Sequence, residues 1–263
     1  MDRDVKTLGL ALSGGAILGA AHIGVLKALD ELGVRATHLA GTSMGAIVAS
    51  FYAFGFSGRE IEGIAEELRW PDITGFSPSK LGLLSMERLM ETLRGHLGPV
   101  RIESASRPLA LIATDISSGE KVVMREGDLA TAAAASACVP GIFIPVEREG
   151  RLLVDGGLLE NLPVSPLTEW GVDRILAVDV HAGRRFLRPR SLPELLINAL
   201  DVALANSGRE SARAADLLIA PDTSSWSRAQ TDDIPALVAE GYRAAKEALR
   251  AQPRSFFPLP PPG

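Results

Sequence analysis

The sequence predicts an α/β domain with parallel strands, and three observations point there. The first 55 residues read as strand, turn and helix twice over, and a helical crossover of that kind joins parallel neighbours. Further short apolar runs then alternate with helical stretches down to residue 251. The chain has 263 residues, 46% of them hydrophobic, which suffices to bury roughly 70–75% of the unfolded surface in one core. No repeat and no linker interrupts residues 6–250, so one domain is expected over that span.

Each element has its own signal. Leu8 to Leu12 is an apolar run ended by Ser13-Gly14-Gly15, and Ala20 to Leu32 carries Ile23, Leu26, Leu29 and Leu32 at intervals of three before Gly33 closes it. The same order returns at Ala36 to Ala40, a second turn, and a helix over Gly45 to Ala53. Residues 56–100 change character: Arg59 to Arg69 and Met86 to Leu97 are amphipathic, the latter with Leu89, Met90, Leu93 and Leu97 on one stripe, and Pro71 to Gly82 links them. An excursion of this kind is expected to cap a site. Strands are predicted again at Leu109 to Ala113, Lys121 to Met124, Leu152 to Val154, Ile175 to Val180 and Leu217 to Ala220, and helices at Leu129 to Ala137, Pro193 to Ala214 and Ile234 to Ala251. Residues 251–263 form a proline-rich tail.

Composition excludes several functions. With 27 basic against 32 acidic residues the net charge is −5, so nucleic acid is not an expected partner. The single cysteine, Cys138, has no intramolecular partner, and four histidines without cysteines at ligand spacing give no zinc pattern, so neither metal nor cofactor is expected. A reducing, cytoplasmic compartment fits, and no secretory signal opens the chain. Leu8 to Leu26 and Ala36 to Gly58 are long and uncharged enough for a membrane span, but each holds a glycine turn in mid-course, the mark of a buried strand-turn-helix. Arg184 to Arg190 carries four arginines beside Phe186 and Leu187. It reads as a solvated loop, with peripheral contact to anionic headgroups as the functional alternative.

Two glycine turns carry chemistry. Gly41-Thr42-Ser43-Met44-Gly45 matches G-x-S-x-G between an apolar strand and a helix, the setting in which a sharp turn lifts a serine hydroxyl above the strand ends and small flanking residues leave room. Ser13 to Gly19 is the other. It lacks the Lys-Ser/Thr of a P-loop, and Ala16 breaks a dinucleotide fingerprint starting at Gly14, which leaves backbone donors for an oxyanion as its functional use. A serine nucleophile needs a base, and two candidates stand: Asp155, delivered by an apolar strand to an Asp-Gly-Gly turn, and His181, which would complete a Ser-Asp-His order. His22 reads as a packing residue.

With Gly14-Gly15, Gly41 to Gly45 and Asp155-Gly156-Gly157 in hand, the chain resembles the patatin-like phospholipase family, in its bacterial branch related to neuropathy target esterase. Ala20 to Leu29, Ala113-Thr-Asp115 with Ser118-Gly-Glu120, Ala135 to Phe143, and Asn161-Leu-Pro-Val164 extend the resemblance from about residue 6 to about 250. It implies a three-layer α/β/α sandwich with a mostly parallel central sheet, hydrolysis of lipid acyl esters without a cofactor, and a Ser-Asp dyad. Ser43 would be the nucleophile, Asp155 the base, and the Gly14, Gly15 and Ala16 amides the oxyanion hole. An acyltransferase using the same acyl-enzyme and a weakly catalytic scaffold are the alternatives. This chain departs from the family pattern at Ala16, which replaces a glycine, and at Leu18, which replaces a basic residue. The loss of a cation beside the oxyanion predicts modest turnover and a preference for neutral esters over anionic phospholipids.

Overall fold

The computed structural model describes residues 5–67, 74–183, 188–226 and 231–258. Its central sheet is entered by β1 (Leu8–Leu12), whose neighbours β2 (His38–Thr42) and β9 (Arg174–Val178) both run parallel to it, and the parallel run continues outward to β10 (Leu217–Ile219) and β5 (Leu109–Asp115). Three antiparallel strands complete it: β6 (Glu120–Met124) and β8 (Arg151–Asp155) pair with β5, and β7 (Val146–Arg148) pairs with β8.

Strand alternation sorts the side chains into two unequal faces. Leu8, Leu10 and Leu12 of β1, with Leu176 and Val178 of β9, enter the larger cluster with α1 (Ala20–Glu31), α2 (Met44–Ala53), α5 (Leu129–Ser136) and α9 (Ile234–Arg250). On the opposite face, Ala11, Ala40, Ala110 and Ala177 are small. This lets Leu162, Val164 and Leu167, around the short helix α7 (Ser165–Glu169), pack close to the sheet. With α8 (Leu192–Ala212) on that side, the chain is a three-layer α/β/α sandwich, as its motifs imply.

α1 and α9 cross at glycines. A Cβ on Gly24 would stand 1.9 Å from the Val238 carbonyl oxygen, and one on Gly241 1.9 Å from that of Ala21, so the two backbones are in direct contact.

The excursion after residue 56 contains α3 (Gly58–Glu67) and α4 (Glu87–Leu97), with a two-stranded hairpin, β3 (Gly75–Phe76) and β4 (Leu84–Ser85), where the sequence predicts only a link. Both helices are anchored: Ile61 of α3 and Leu89 and Leu93 of α4 are buried. The hairpin carries the exposure instead, with Phe76, Leu81 and Leu83 facing outward beside the exposed Ile142. β7 and the helices α6 (Gly157–Glu160) and α7 also go unpredicted, because three to five residues are too few for a periodic signal. Among the described residues no helix is long and apolar enough to cross a membrane. Of the Arg184 to Arg190 cluster, residues 184–187 lie outside the described residues, as do residues 259–263 of the tail.

Candidate active site

Strand pairing explains how two distant parts of the chain meet. A strand has two edges, and β6 occupies one edge of β5 along Leu111 to Asp115. The other edge is shared: β2 covers Leu109 to Ile112 from one direction and β8 covers Ala113 to Asp115 from the other. Thr42 pairs with Ile112 and Asp155 with Ala113, so the carboxyl ends of β2 and β8 meet head-on. Ser43 and Asp155 therefore stand beside each other at that junction.

Ser43 alone turns β2 into α2. It holds φ +54° and ψ −125°, a conformation that costs a non-glycine residue about 1–3 kcal/mol. Several bonds impose it. Ser43 N–H donates to Ser136 Oγ at 2.9 Å, the Ser136 hydroxyl donates to the Ile112 carbonyl at 2.6 Å, and the Ser43 carbonyl accepts from Ala46 N at 2.9 Å. Gly41 and Gly45 give the clearance expected of them: a Cβ on Gly45 would lie 2.2 Å from the Leu12 carbonyl oxygen, and one on Gly41 2.5 Å from that of Gly45.

Asp155 is buried and equally constrained. Its amide donates to the Cys138 carbonyl at 2.8 Å, and its Oδ1 accepts the Gly157 N–H at 2.8 Å. Gly156 presses against β5 at the junction, where a Cβ would stand 2.2 Å from the Ile112 carbonyl oxygen. The neighbouring Cys138 thiol is pushed up to about 12, by burial first and by the negative charge of Asp155 second, so it stays protonated and takes no part as a nucleophile.

The first glycine turn lies against this pair. Ala16 adopts φ +49°, taking the left-handed conformation that a glycine would adopt without strain. Among the described residues the Gly15 and Ala16 N–H groups have no hydrogen-bond partner, which leaves both free for a ligand. Gly14 differs from the expectation: its N–H donates to the Asn161 carbonyl at 3.0 Å, so it serves by having no side chain, not as a donor.

Leu18 also needs correcting. The departure from the family pattern reads as a missing cation beside the oxyanion, but Leu18 is fully buried within the large core cluster. A basic side chain there would open the core before it reached the site, and the expected preference for neutral esters loses its basis. His22 is fully buried on α1 with Nε2 2.8 Å from the Ser13 carbonyl oxygen, and desolvation lowers its pKa to about 4. His181 stands at the rim of the glycine turn, 3.6 Å from where a Cβ of Gly15 would be, with its backbone N–H donating to Asp179 at 2.9 Å. Burial raises the pKa of Asp179.

Asn161 is the site residue that sequence reasoning leaves without a role. α6 brings it back six residues after Asp155, its backbone pins Gly14, and its Nδ2 lies 3.3 Å from His181 Nδ1. The Asp-Gly-Gly-x-x-x-Asn spacing, one helical turn beyond the glycines, is the signal that points to it. Among the described residues no group of three or more His, Cys, Asp or Glu side chains stands together as a metal site.

The chain also has relatives among known proteins. Residues 10–168, more than half of the chain, match the family model described as Patatin-like phospholipase. An uncharacterized NTE family protein of Mycobacterium tuberculosis is 38% identical over 175 residues, covering 65% of this chain and 48% of its own length. A second one from that organism is 31% identical over 276 residues, covering 94% of this chain and 47% of its own length. Lysophospholipase NTE1 of Pyricularia oryzae is 33% identical over 185 residues, 66% of this chain and 12% of that protein. The chain thus spans about half the length of the mycobacterial relatives it matches. Among solved structures, VipD from Legionella pneumophila superposes with a TM-score of 0.52 at 15% identity, covering 95% of this chain and 67% of VipD, a likeness of fold alone.

Proposed function

The chain belongs to the patatin-like phospholipase family, and from that premise we propose that it hydrolyses lipid acyl esters through an acyl-enzyme on Ser43, with Asp155 as the base and no histidine in the proton path. The head-on meeting of β2 and β8, which delivers a strained serine and a buried carboxylate to one point, carries the reading. A lysophospholipase among the relatives supports a lipid ester as substrate.

In this mechanism Ser43 Oγ attacks the ester carbonyl carbon while its proton passes to the Asp155 carboxylate. The carbonyl oxygen becomes an oxyanion and takes the Gly15 and Ala16 N–H groups, each such donor lowering the barrier by about 3–4 kcal/mol. As the C–O bond to the leaving alcohol breaks, Asp155 returns the proton to the departing oxygen. Water then attacks the acyl-enzyme, gives a proton to Asp155, and the acid leaves as Ser43 is reprotonated.

The apolar rim supports a long-chain substrate. The segment from Ser136 to Ile142 runs from the residue that backs the Ser43 amide out to the exposed hairpin, whose Leu83 N–H donates to the Ile142 carbonyl at 2.9 Å. Phe76, Leu81, Leu83 and Ile142 give the acyl chain, or the face of a lipid aggregate, an apolar approach, and this is where peripheral membrane contact is assigned.

A fluorophosphonate tests the reading, followed by peptide mapping and product analysis on a lipid panel. The expected result is a single adduct on Ser43 and release of free fatty acid. No adduct would favour a scaffold, and transacylated product alone would favour the acyltransferase.

A further inference from the structure

We propose that Asn161 is a positioning residue for Asp155: its carboxamide turns Nδ2 toward the carboxylate and Oδ1 toward His181, so that Asp155 offers its other oxygen to Ser43. This rests on the Ser43–Asp155 reading above. Asn161 is fully buried, and its backbone is committed at both ends, the N–H to Ser207 Oγ at 3.0 Å and the carbonyl to Gly14 N at 3.0 Å. Those ties hold its backbone at the site.

With Nδ2 near His181 Nδ1 at 3.3 Å, the Oδ1 end has no partner, which is a costly state for a buried amide oxygen. The surroundings of that end are defined by two glycines. A Cβ on Gly14 would lie 2.5 Å from it and 3.1 Å from Ser43 Cβ. A Cβ on Gly157 would lie 2.9 Å from it and 3.0 Å from Asp155 Oδ1. The unpaired end therefore occupies a cleft between nucleophile and base, kept open because neither glycine has a side chain.

An oxygen lone pair beside a carboxylate oxygen is repelled, whereas an NH2 group is attracted. The two ends of a carboxamide have the same shape, so a half-turn resolves both faults. Oδ1 then accepts Nδ1–H of His181, and Nδ2 donates toward Asp155 Oδ1, which already accepts the Gly157 N–H. Two donors on Oδ1 make Oδ2 the more basic oxygen, the one this proposal turns to Ser43. His181 thus acts through Asn161.

The test is the pH profile of kcat/KM together with kcat and KM at the optimum, for Asn161→Asp, Asn161→Ala and Asp155→Asn, with thermal unfolding of each. The titratable groups facing Asp155 and Asn161 are Cys138, Asp179 and His181, and all three stay in place. Asn161→Asp sets a second carboxylate beside Asp155, so the acid limb should move up by about one pH unit or more. Asn161→Ala should lower kcat about 10- to 100-fold with KM nearly unchanged. If the alanine variant does not fold, the near-isosteric aspartate variant decides alone. Wild-type kcat and an unmoved acid limb in a folded variant would overturn the proposal while Asp155→Asn stays inactive. An active Asp155→Asn would instead overturn the dyad on which it rests.

Discussion

His22 ties stability to pH at a single buried ring. It packs fully buried behind the first glycine turn, with Nε2 on the Ser13 carbonyl and Nδ1 without a partner, and desolvation holds its pKa near 4 against 6.5 for a free histidine. Because the folded value is the lower one, the unfolded chain binds a proton between about pH 4 and 6.5 that the folded chain does not. Stability is full above pH 6.5 and falls as the pH drops through that window, by about 3 kcal/mol in all. His22→Gln, whose amide can still donate to Ser13, should flatten this part of the stability curve in denaturant titrations at pH 4.5 and 7. An unchanged slope would mean that other groups set it. At this scale the sequence is legible for residue type and spacing, hence the close glycine turns around Ser43 and Asp155, but not for depth. Leu18 shows the limit: its position in the pattern suggests a site residue, and its burial makes it a core residue.

Elements are legible where an apolar run or stripe is bounded by turn residues, down to the three-residue β10. The helices α1, α2, α4, α8 and α9 and the strands β1, β2, β5, β8 and β9 lie within a few residues of their expected places, since each carries a sustained apolar period or an alternating run. The pairing that makes the site is not legible, because β2 and β8 come together only through β5, at separations that no local pattern records. The same holds for α1 against α9. Gly24 looks in sequence like a weak point in a helix, yet it lets the α9 backbone approach to contact. Helix propensity alone predicts that Gly24→Ala stabilises by about 1 kcal/mol. The 1.9 Å approach to the Val238 carbonyl predicts the reverse, a loss of about 1–3 kcal/mol or more as the helices are forced apart. A urea midpoint for Gly24→Ala separates the two, and a raised midpoint would contradict the close crossing.

At the scale of the whole molecule, the sheet changes its parity where Ser43 and Asp155 meet. The parallel strands β10, β9, β1, β2 and β5 aim their carboxyl ends one way, and β8 comes back antiparallel to meet them, so Asp155 from the later half of the chain comes beside Ser43 from the first fifth. His181 follows β9, on the far side of β1 from β2, and lies against Asn161. In the proposed mechanism this asymmetry makes Asp155, and not His181, the base. The measurement that tests it most directly is kcat/KM for ester hydrolysis by Asp155→Asn beside His181→Ala, each shown to be folded. Asp155→Asn should lose about 10³-fold or more, and His181→Ala less than about tenfold, the loss of a positioning contact and not of a base. A folded His181→Ala enzyme that is inactive, beside an Asp155→Asn enzyme that retains its rate, would contradict the account.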